Sequence, residues 1–437
     1  MRKSKKIVSI ILTVAMVAVM AVGCGQKSSE SGETKANGKE ITLKVFSNLP
    51  DRKNGQGLVE QTIIDEYMKE NPNVKIEVEA LDEEAYKTKF KAYAMEGMPD
   101  VVSIWGQPAF LDEVVDAGVL AELNQDDYKD YGFVEGSLSG YTYDGKLYGL
   151  PRNTDIAVFY YNQKMFQDNG WEVPKTYDEL LALAKKINDK DIVPVAMDGG
   201  DGWPLCVYLA DLMYQITGTD YSKMISDAMA SGDFSAPEMK QATQLLKDAA
   251  DANLFQKGYD SQDYATAMNL FTNGQAAMFY MGSWETSMAT NEDIQKDIRE
   301  NVRVFTMPTV KDGKAAETDI SAWNGGGYAV SEKSEVKEEA IKFLNYMYQP
   351  DKLSKYGWEN GVGLSAQDQS SYMTGEETEL LKQVVEILSK STNLSGNPIN
   401  DSGSSAFKTS IESEIQGVCN GSKSIDDFLS KIGAACK

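Results

Sequence analysis

Five of the six tryptophans lie within two residues of Gly, Pro or Asn in predicted loops or at predicted strand ends. They are Trp105, Trp203, Trp284, Trp323 and Trp358. An indole presents a flat apolar face and one N–H donor, which suits a cleft that holds a ligand. A sugar ring fits such a face, because its axial C–H groups stack on the indole while polar side chains bind its hydroxyl groups. The pattern predicts a carbohydrate-binding cleft, and the alternative for each tryptophan is packing beneath a loop.

Short polar side chains follow the same strand ends and loops. The candidates for hydrogen bonds to a ligand are Asn48, Gln107, Asp155, Asp201, Glu285 and Asn324. Each of them alone is a common turn former or helix cap. Asp201 and Glu285 are the stronger candidates, because Trp203 and Trp284 adjoin them. We predict that these polar residues, the five tryptophans and Gly326 line the ligand site.

The segment SAWNGGGYAV, residues 321–330, has the G-x-G spacing of a phosphate-binding turn. A dinucleotide site needs three glycines in G-x-G-x-x-G spacing that follow a strand and open a helix. This chain has Val330 at the position of the third glycine, and Val330 lies in a predicted strand. No Gly-Lys-Ser/Thr follows, so we exclude a nucleotide site. We predict instead that the glycines let the backbone turn and approach a ligand. Replacing Trp323 by Ala should then lower sugar affinity and leave the fold intact.

The 437-residue chain contains no histidine, which excludes histidine-based nucleophiles, general bases and metal sites. It also lacks a calcium loop and a C-x-x-C pair, so we predict no cofactor and no metal. One alternative stays open: Asp155, Asp201 and Glu285 are candidates for the carboxylate pair of a secreted glycosidase. The other is a binder of a non-sugar solute, such as a peptide.

The N-terminus has the layout of a lipoprotein signal. Basic residues within 2–6 precede an uncharged apolar run, 7–23, which ends in small residues before Cys24. We predict a signal peptide over 1–23, lipidation of Cys24, and a polar flexible tether over 24–39. The protein would thus be anchored by lipid to the outer face of the cell membrane. The alternative is an uncleaved membrane anchor.

Charge and cysteine content limit the possible partners. The formal net charge of −23 repels nucleic acid, so a nucleic-acid partner is excluded. Cys419 and Cys436 flank a short predicted helix and form either a disulfide or two free thiols. Cys206 is predicted to be a buried free thiol.

The predicted elements alternate between strands and helices. Strands are predicted at 41–46, 74–80, 99–104, 157–161, 192–197, 276–280 and 328–330, and helices include 59–68, 83–97, 177–188 and 337–348. This alternation predicts parallel strands joined by right-handed crossovers. Ligands of such sheets bind outside the carboxyl ends of the strands, where Asn48 and Trp105 lie.

Several segments together resemble one protein family. DGKLYGLP (144–151), FYYN (159–162), FTNGQAAM (271–278) and GSW (282–284) occur in its order and spacing. The chain resembles the bacterial extracellular solute-binding proteins of family 1, the sugar-capturing subunits of ABC importers. It departs from their pattern at Ser365, where proline is usual. The resemblance covers essentially the whole chain after the tether.

The resemblance implies a type II, two-lobed α/β fold. Each lobe would be an open, mostly parallel sheet flanked by helices, and hinge strands would join the lobes. The implied lobes are 40–152 plus 326–361 and 153–325 plus 362–437.

The resemblance also implies a function and site residues. The protein would be a monomeric receptor and not an enzyme, which closes around an oligosaccharide and passes it to the permease of an ABC importer. Positions that contact sugar in the family correspond to Trp105, Trp284, Trp323 and Asn324.

Overall fold

The computed structural model describes residues 40–391, 393–394 and 396–436. The predicted signal peptide, Cys24 and the tether therefore lie outside the described residues. Residues from 40 onward belong to one compact unit. Among the described helices, none has both the length and the apolar character that crossing a membrane requires.

Every strand predicted from alternation or from an apolar run is present, within a few residues of its predicted ends. β4, β5, β6, β10, β11, β12 and β14 come in addition. The strands are β1 Ile41–Ser47, β2 Val74–Ala80, β3 Val101–Trp105, β4 Thr142–Tyr143, β5 Lys146–Leu147, β6 Leu150–Pro151, β7 Thr154–Asn162, β8 Val193–Ala196, β9 Ala276–Gly282, β10 Val302–Phe305, β11 Asp319–Ile320, β12 Ala322–Asn324, β13 Gly326–Val330 and β14 Asn393–Leu394.

The helices flank the sheets and fill the C-terminal part of the chain. They are α1 Gly55–Glu70, α2 Glu83–Glu96, α3 Pro108–Asp116, α4 Gln163–Asn169, α5 Tyr177–Asn188, α6 Trp203–Thr217, α7 Tyr221–Ser231, α8 Pro237–Asp251, α9 Tyr264–Thr272, α10 Lys296–Arg299, α11 Lys337–Met347, α12 Leu353–Glu359, α13 Glu379–Lys390, α14 Ser405–Cys419 and α15 Ile425–Ala434. α5 begins and ends as predicted, because Thr176 and Glu179 form a capping box at its start.

The first sheet has the strand order β2-β1-β3-β13-β6. β1 runs parallel to β2 and to β3, as the alternation of strands and helices predicts. β13 runs antiparallel to both of its neighbours, with Gly326 opposite Trp105 and Gly327 opposite Pro151. This sheet is therefore mixed.

The second sheet has the order β10-β7-β9-β8, and β12 pairs with β7. Only β8 and β9 run parallel in it, while β7 is antiparallel to β9, β10 and β12. The α/β class is confirmed, but the prediction of mostly parallel sheets is wrong. A parallel neighbour needs a crossover connection, whereas β7 and β13 are entered directly from a strand of the other sheet.

Each sheet buries its own apolar core. In the first, β1, β3 and β13 pack against α1, α2 and α11, and the rings of Phe46 and Tyr86 stack at 4.1 Å. In the second, α6 is the central helix, and all its residues from 204 to 217 are buried. A third buried cluster, which includes Tyr160, Phe279 and Leu380, packs on the opposite face of the second sheet.

The described cysteines are free thiols. Cys206 is buried on α6, as predicted, and Cys419 is buried on α14. The Cys436 sulfur lies 3.7 Å from the Met229 sulfur and is not bonded to Cys419. Of the two alternatives for this pair, the structure contains the free thiols.

A buried carboxyl on α6 makes stability depend on pH. Asp211 accepts a hydrogen bond from the Tyr280 hydroxyl at 2.7 Å, and burial raises its pKa to about 7. An unfolded aspartate has a pKa of about 3.9. Between these values the folded protein keeps a proton that the unfolded chain releases, so the stability from this group falls as pH rises.

We therefore expect Asp211→Asn to flatten the decline in Tm between about pH 4 and pH 7, the window between the unfolded and folded pKa values. Asparagine keeps a hydrogen-bond acceptor but does not ionise, which removes a pH-dependent contribution of at most about 4 kcal/mol. Calorimetric Tm values of both proteins across this range measure the effect. Parallel Tm curves for the two proteins would contradict the assignment.

Candidate functional site

One edge of the first sheet carries three of the predicted site residues. Asn48 directly follows β1, and Trp105 ends the parallel strand β3. Gly326 begins the antiparallel strand β13 opposite Trp105. These three residues lie at the same edge, because the carboxyl ends of β1 and β3 meet the amino end of β13 there.

One edge of the second sheet carries five more. Trp284 and Glu285 follow the carboxyl end of β9, and Asp201 follows β8, which runs parallel to β9. Asp155 lies near the start of the antiparallel strand β7, with Trp323 of β12 opposite it. The chain passes from one sheet to the other at these same two edges.

Three tryptophans form an aromatic cluster at the second edge. The ring centroids of Trp203 and Trp284 lie 6.0 Å apart, and those of Trp284 and Trp323 lie 6.5 Å apart. The Trp284 indole N–H donates a hydrogen bond to the Tyr264 hydroxyl at 3.2 Å. Trp203 and Trp284 are partly exposed, so their rings remain available to a ligand.

Trp323 differs from its two neighbours in burial. Only 8% of its surface is exposed, and it packs in the core of the second sheet. Truncating a buried tryptophan to alanine typically costs about 3–5 kcal/mol of stability. The expectation that Trp323→Ala leaves the fold intact therefore does not hold for this packing.

Trp105 lies in an aromatic setting on the first edge. Its ring makes edge contacts with Tyr86 at 5.7 Å and Phe110 at 5.1 Å. The Lys87 ammonium lies 5.6 Å from the ring centroid, at cation–π distance. Trp105 is partly exposed and thus offers an indole surface from the first sheet.

Gln107 and Asn324 hold the chain where it passes between the sheets. The Gln107 side-chain amide donates to the backbone carbonyl of Asn324 at 2.6 Å. Gln107 is 4% exposed, so its amide group fixes this strand rather than facing open solvent. Asn324 itself is partly exposed.

The carboxyl groups at the second edge have raised pKa values. Burial raises the pKa of Asp155 to about 7, against the opposing hydrogen bond from the Asn153 amide. Burial also raises the pKa of Glu285, which accepts a hydrogen bond from the Tyr264 hydroxyl. Neutral carboxyl groups can both donate to and accept from hydroxyl groups of a ligand.

Asp198 is a buried carboxyl at this edge that the sequence did not single out. It lies two residues after the end of β8, and its Oδ1 accepts a hydrogen bond from the backbone N–H of Asp201 at 3.2 Å. Its Oδ2 is buried with no hydrogen-bond partner among the described residues. Burial and the adjacent Asp201 carboxylate raise the pKa of Asp198 to about 9. Its position two residues after a buried strand was the available signal.

Charged side chains of α2 and α14 approach the same region from both sides. Lys87 forms ion pairs with Glu83 at 2.6 Å and Glu84 at 2.9 Å. Lys408 pairs with Glu412 at 3.1 Å. Burial lowers the pKa of Lys87, but Glu83, Glu84 and the more distant Glu412 raise it overall. Lys87 and Glu412 therefore interact across the cleft.

Two remaining candidates differ in what surrounds them. The side-chain oxygen of Asn48 is buried and has no partner among the described residues, so it is free to bind a ligand.

Trp358 lies on α12 with 7% exposure, and its indole N–H donates a hydrogen bond to the Glu377 carboxylate at 3.3 Å. No aromatic ring contact within the described chain joins Trp358 to the aromatic cluster. The structure does not bring it to the other tryptophans.

Three crossing segments, residues 152–154, 324–326 and 361–366, run side by side between the sheets, and the first two lead directly from a strand of one sheet to a strand of the other. Arg152 N donates to Gly326 O and Gly325 N donates to Asn153 O, each at 2.8 Å. Thr154 N donates to Leu364 O at 2.8 Å. The segments thus form one hydrogen-bonded ribbon.

The glycines in the second crossing segment, and Gly327 directly after it, serve close packing. A Cβ atom at Gly325 would overlap the Asp155 carboxylate, and one at Gly327 would overlap the carbonyl oxygen of Leu150. Gly326 and Gly327 belong to the extended strand β13. They therefore do not make the turn that the sequence suggested. Glycine is needed here because a side chain would overlap neighbouring atoms.

Comparison with known proteins gives the same family throughout. The profile of the bacterial extracellular solute-binding proteins matches residues 62–361. The multiple sugar-binding protein of Streptococcus mutans is 26% identical over 362 residues, which is 80% of each chain.

Two solved structures share the fold. A structure from work on xylan utilization by Caldanaerobius polysaccharolyticus has a TM-score of 0.82 at 24% identity and covers 90% of this chain and 99% of its own. A chitin oligosaccharide binding protein has a TM-score of 0.79 at 23% identity, covering 91% and 98%. These likenesses establish the type II solute-binding fold.

Members of this family are solute receptors and not enzymes. The profile match spans more than half of the chain, and the chain belongs to the bacterial extracellular solute-binding protein family.

Proposed function

We propose that this protein binds an oligosaccharide and delivers it to an ABC importer. The aromatic cluster carries the proposal, because two of its rings are partly exposed beside carboxyl groups at one sheet edge. Sugar recognition requires this pairing of flat apolar surface with hydrogen-bonding groups. The names of the Streptococcus relative and of the chitin oligosaccharide binding protein support the same ligand class.

We assign the ligand contacts by chemistry and exposure. Trp203 and Trp284 supply stacking faces from the second sheet, and Trp105 supplies one from the first. Asp201 and Glu285 bind hydroxyl groups beside the stacked rings. Several indole faces offer more area than one hexose ring needs, which favours a di- or longer saccharide.

Delivery would depend on closure of two lobes around the sugar. We infer lobes of 40–152 plus 326–361 and 153–325 plus 362–437, joined by the crossing segments. Across the cleft, Gly55 packs against Ser287, and the Asn54 side-chain amide approaches the Asp293 carboxylate at 3.5 Å. A bound sugar that touches both lobes can set the balance between open and closed states.

We also propose the lipid anchor at Cys24, which places the receptor at the outer face of the cell membrane. Replacing Cys24 by Ser should remove the acylation site and release the protein into the medium. Fractionation of cells that express either form, with labelled palmitate, measures this. Equal membrane retention and no label in the wild-type protein would contradict the anchor.

A thermal-shift screen tests the proposed ligand class. Oligosaccharides of several linkages and a set of short peptides are each added to the purified protein. A ligand present at 100 times its Kd stabilises the bound state by about 2.7 kcal/mol, enough for a clear rise in Tm. We expect at least one oligosaccharide and no peptide to raise the Tm. A rise in Tm with peptides alone would contradict the proposed sugar ligand and would indicate that the protein binds peptides.

A further inference from the structure

A small cavity lies where the crossing segments meet α1 and α12. Its wall includes Arg152 and Asn153 of the first crossing segment, Val362 of the third, Gln56 of α1 and Gly357 of α12. The cavity has room for about one water molecule or one ion of similar size. It lies outside the proposed sugar site, because none of the tryptophans or carboxyl groups of that site lines it.

Unpaired hydrogen-bond donors line this cavity. Nε and Nη1 of Arg152 and Nε2 of Gln56 are buried without a partner among the described residues. Asn153 Oδ1 is the one unpaired acceptor on the same wall. Arg152 is 8% exposed, so solvent does not satisfy its guanidinium from outside. A buried charged group without its hydrogen bonds lowers the stability of the folded protein. A hydrogen-bond acceptor bound in the cavity would remove that loss of stability.

The Arg152 guanidinium has no carboxylate of the described residues in direct contact, although Tyr328 and the buried Glu60 favour its charged form from nearby. The nearby Glu60 is buried and pairs instead with Arg52. The guanidinium lies 5.4 Å above the centroid of the Tyr328 ring, which stabilises a cation only partly. An anion in the cavity would place an opposite charge in direct contact with the guanidinium, which a water molecule does not do.

We propose that this cavity binds a small monatomic anion of the size of chloride. The anion accepts hydrogen bonds from Arg152 and Gln56 and neutralises the buried guanidinium. It touches the first and third crossing segments together with α1 and α12, and so stabilises the folded junction between the sheets. This site does not depend on the identity of the transported solute.

Thermal unfolding of the purified full-length protein tests the anion site. Tm is measured against sodium chloride and against sodium gluconate at equal ionic strength, because gluconate is too large for the cavity. We expect chloride alone to raise the Tm by about 2 °C, with saturation below about 0.1 M. Gln56→Leu, which removes one donor but keeps the volume, should abolish this rise. Gln167→Leu, on the exposed face of α4, should not change it.

Arg152→Met should also remove the chloride response, and Gln56→Leu keeps the test usable if that variant does not fold. A crystal grown with bromide gives an independent result. An anomalous peak in the cavity beside Arg152 supports the anion. Identical responses to both salts, or a water molecule without anomalous signal at this position, would overturn the proposal.

Discussion

Replacing Trp284 by alanine is expected to weaken oligosaccharide binding by about 30-fold or more while the protein stays folded. Trp284 is the middle ring of the aromatic cluster and contacts both Trp203 and Trp323. Its ring is partly exposed, so its loss removes ligand contact area more than core packing. Isothermal titration calorimetry with the sugar found in the thermal-shift screen measures the change in Kd.

Trp171→Ala is the matched control for this experiment. Trp171 lies between α4 and α5 and makes an edge contact with Phe166 at 5.8 Å. It is also only partly buried, but it is remote from the strand ends that form the site. We expect its replacement to change Tm slightly and Kd hardly at all. Equal losses of affinity in the two variants, or none with Trp284→Ala, would contradict the assigned stacking face.

The largest expected effect on stability comes from Gly327→Ala. Gly327 lies in β13 opposite Pro151, and a Cβ atom there would overlap the backbone carbonyl oxygen of Leu150. A backbone atom of a paired strand cannot move aside as a flexible side chain can. We expect the free energy of unfolding to fall by more than about 3 kcal/mol. Urea denaturation followed by circular dichroism measures the loss.

Gly357→Ala provides the control for this substitution. Gly357 lies inside α12, and the atom nearest to a Cβ there is the carbonyl oxygen of Val362, at 3.4 Å. Alanine also favours a helix over glycine by about 1 kcal/mol. We expect this variant to be at least nearly as stable as the wild type. A Gly327→Ala protein of unchanged stability would show that β6 and β13 are packed less closely than described.

Local sequence signals predicted the elements well where the pattern was strong. β2 alternates strictly between apolar and charged residues, and its predicted and observed ends agree at 74 and 80. α5 also matches, because Thr176 and Glu179 mark its start. Strand direction was predictable only where a helix connects two neighbouring strands. β7 and β13 have no such connection, so nothing local indicated that they run antiparallel to their neighbours.

The site residues that lie at strand ends could be predicted, because the ends of the strands could be predicted. Trp105, Trp284 and Asp201 follow predicted strands, and the structure places each of them at a strand edge. Lys87 and Glu412 were missed, because they reach the cleft from helices whose positions depend on the packing of the whole chain. Trp358 adjoins a glycine and resembled a loop residue, yet it lies in α12 and is buried.

The glycine-rich segment shows the same limit. The sequence excluded a phosphate loop, because Val330 replaces the third glycine. It did not reveal why glycine is needed, since the overlapping atoms belong to Asp155 and Leu150, which are more than 150 residues away in the chain.

The most direct test of the proposed function is a crystal structure of the protein grown with the oligosaccharide that raises its Tm. We expect sugar density between the two sheet edges, with a ring stacked on Trp284 and hydroxyl groups within hydrogen-bond distance of Asp201 or Glu285. Sugar bound elsewhere on the protein, or a cleft that holds a peptide in place of the sugar, would contradict the proposed function.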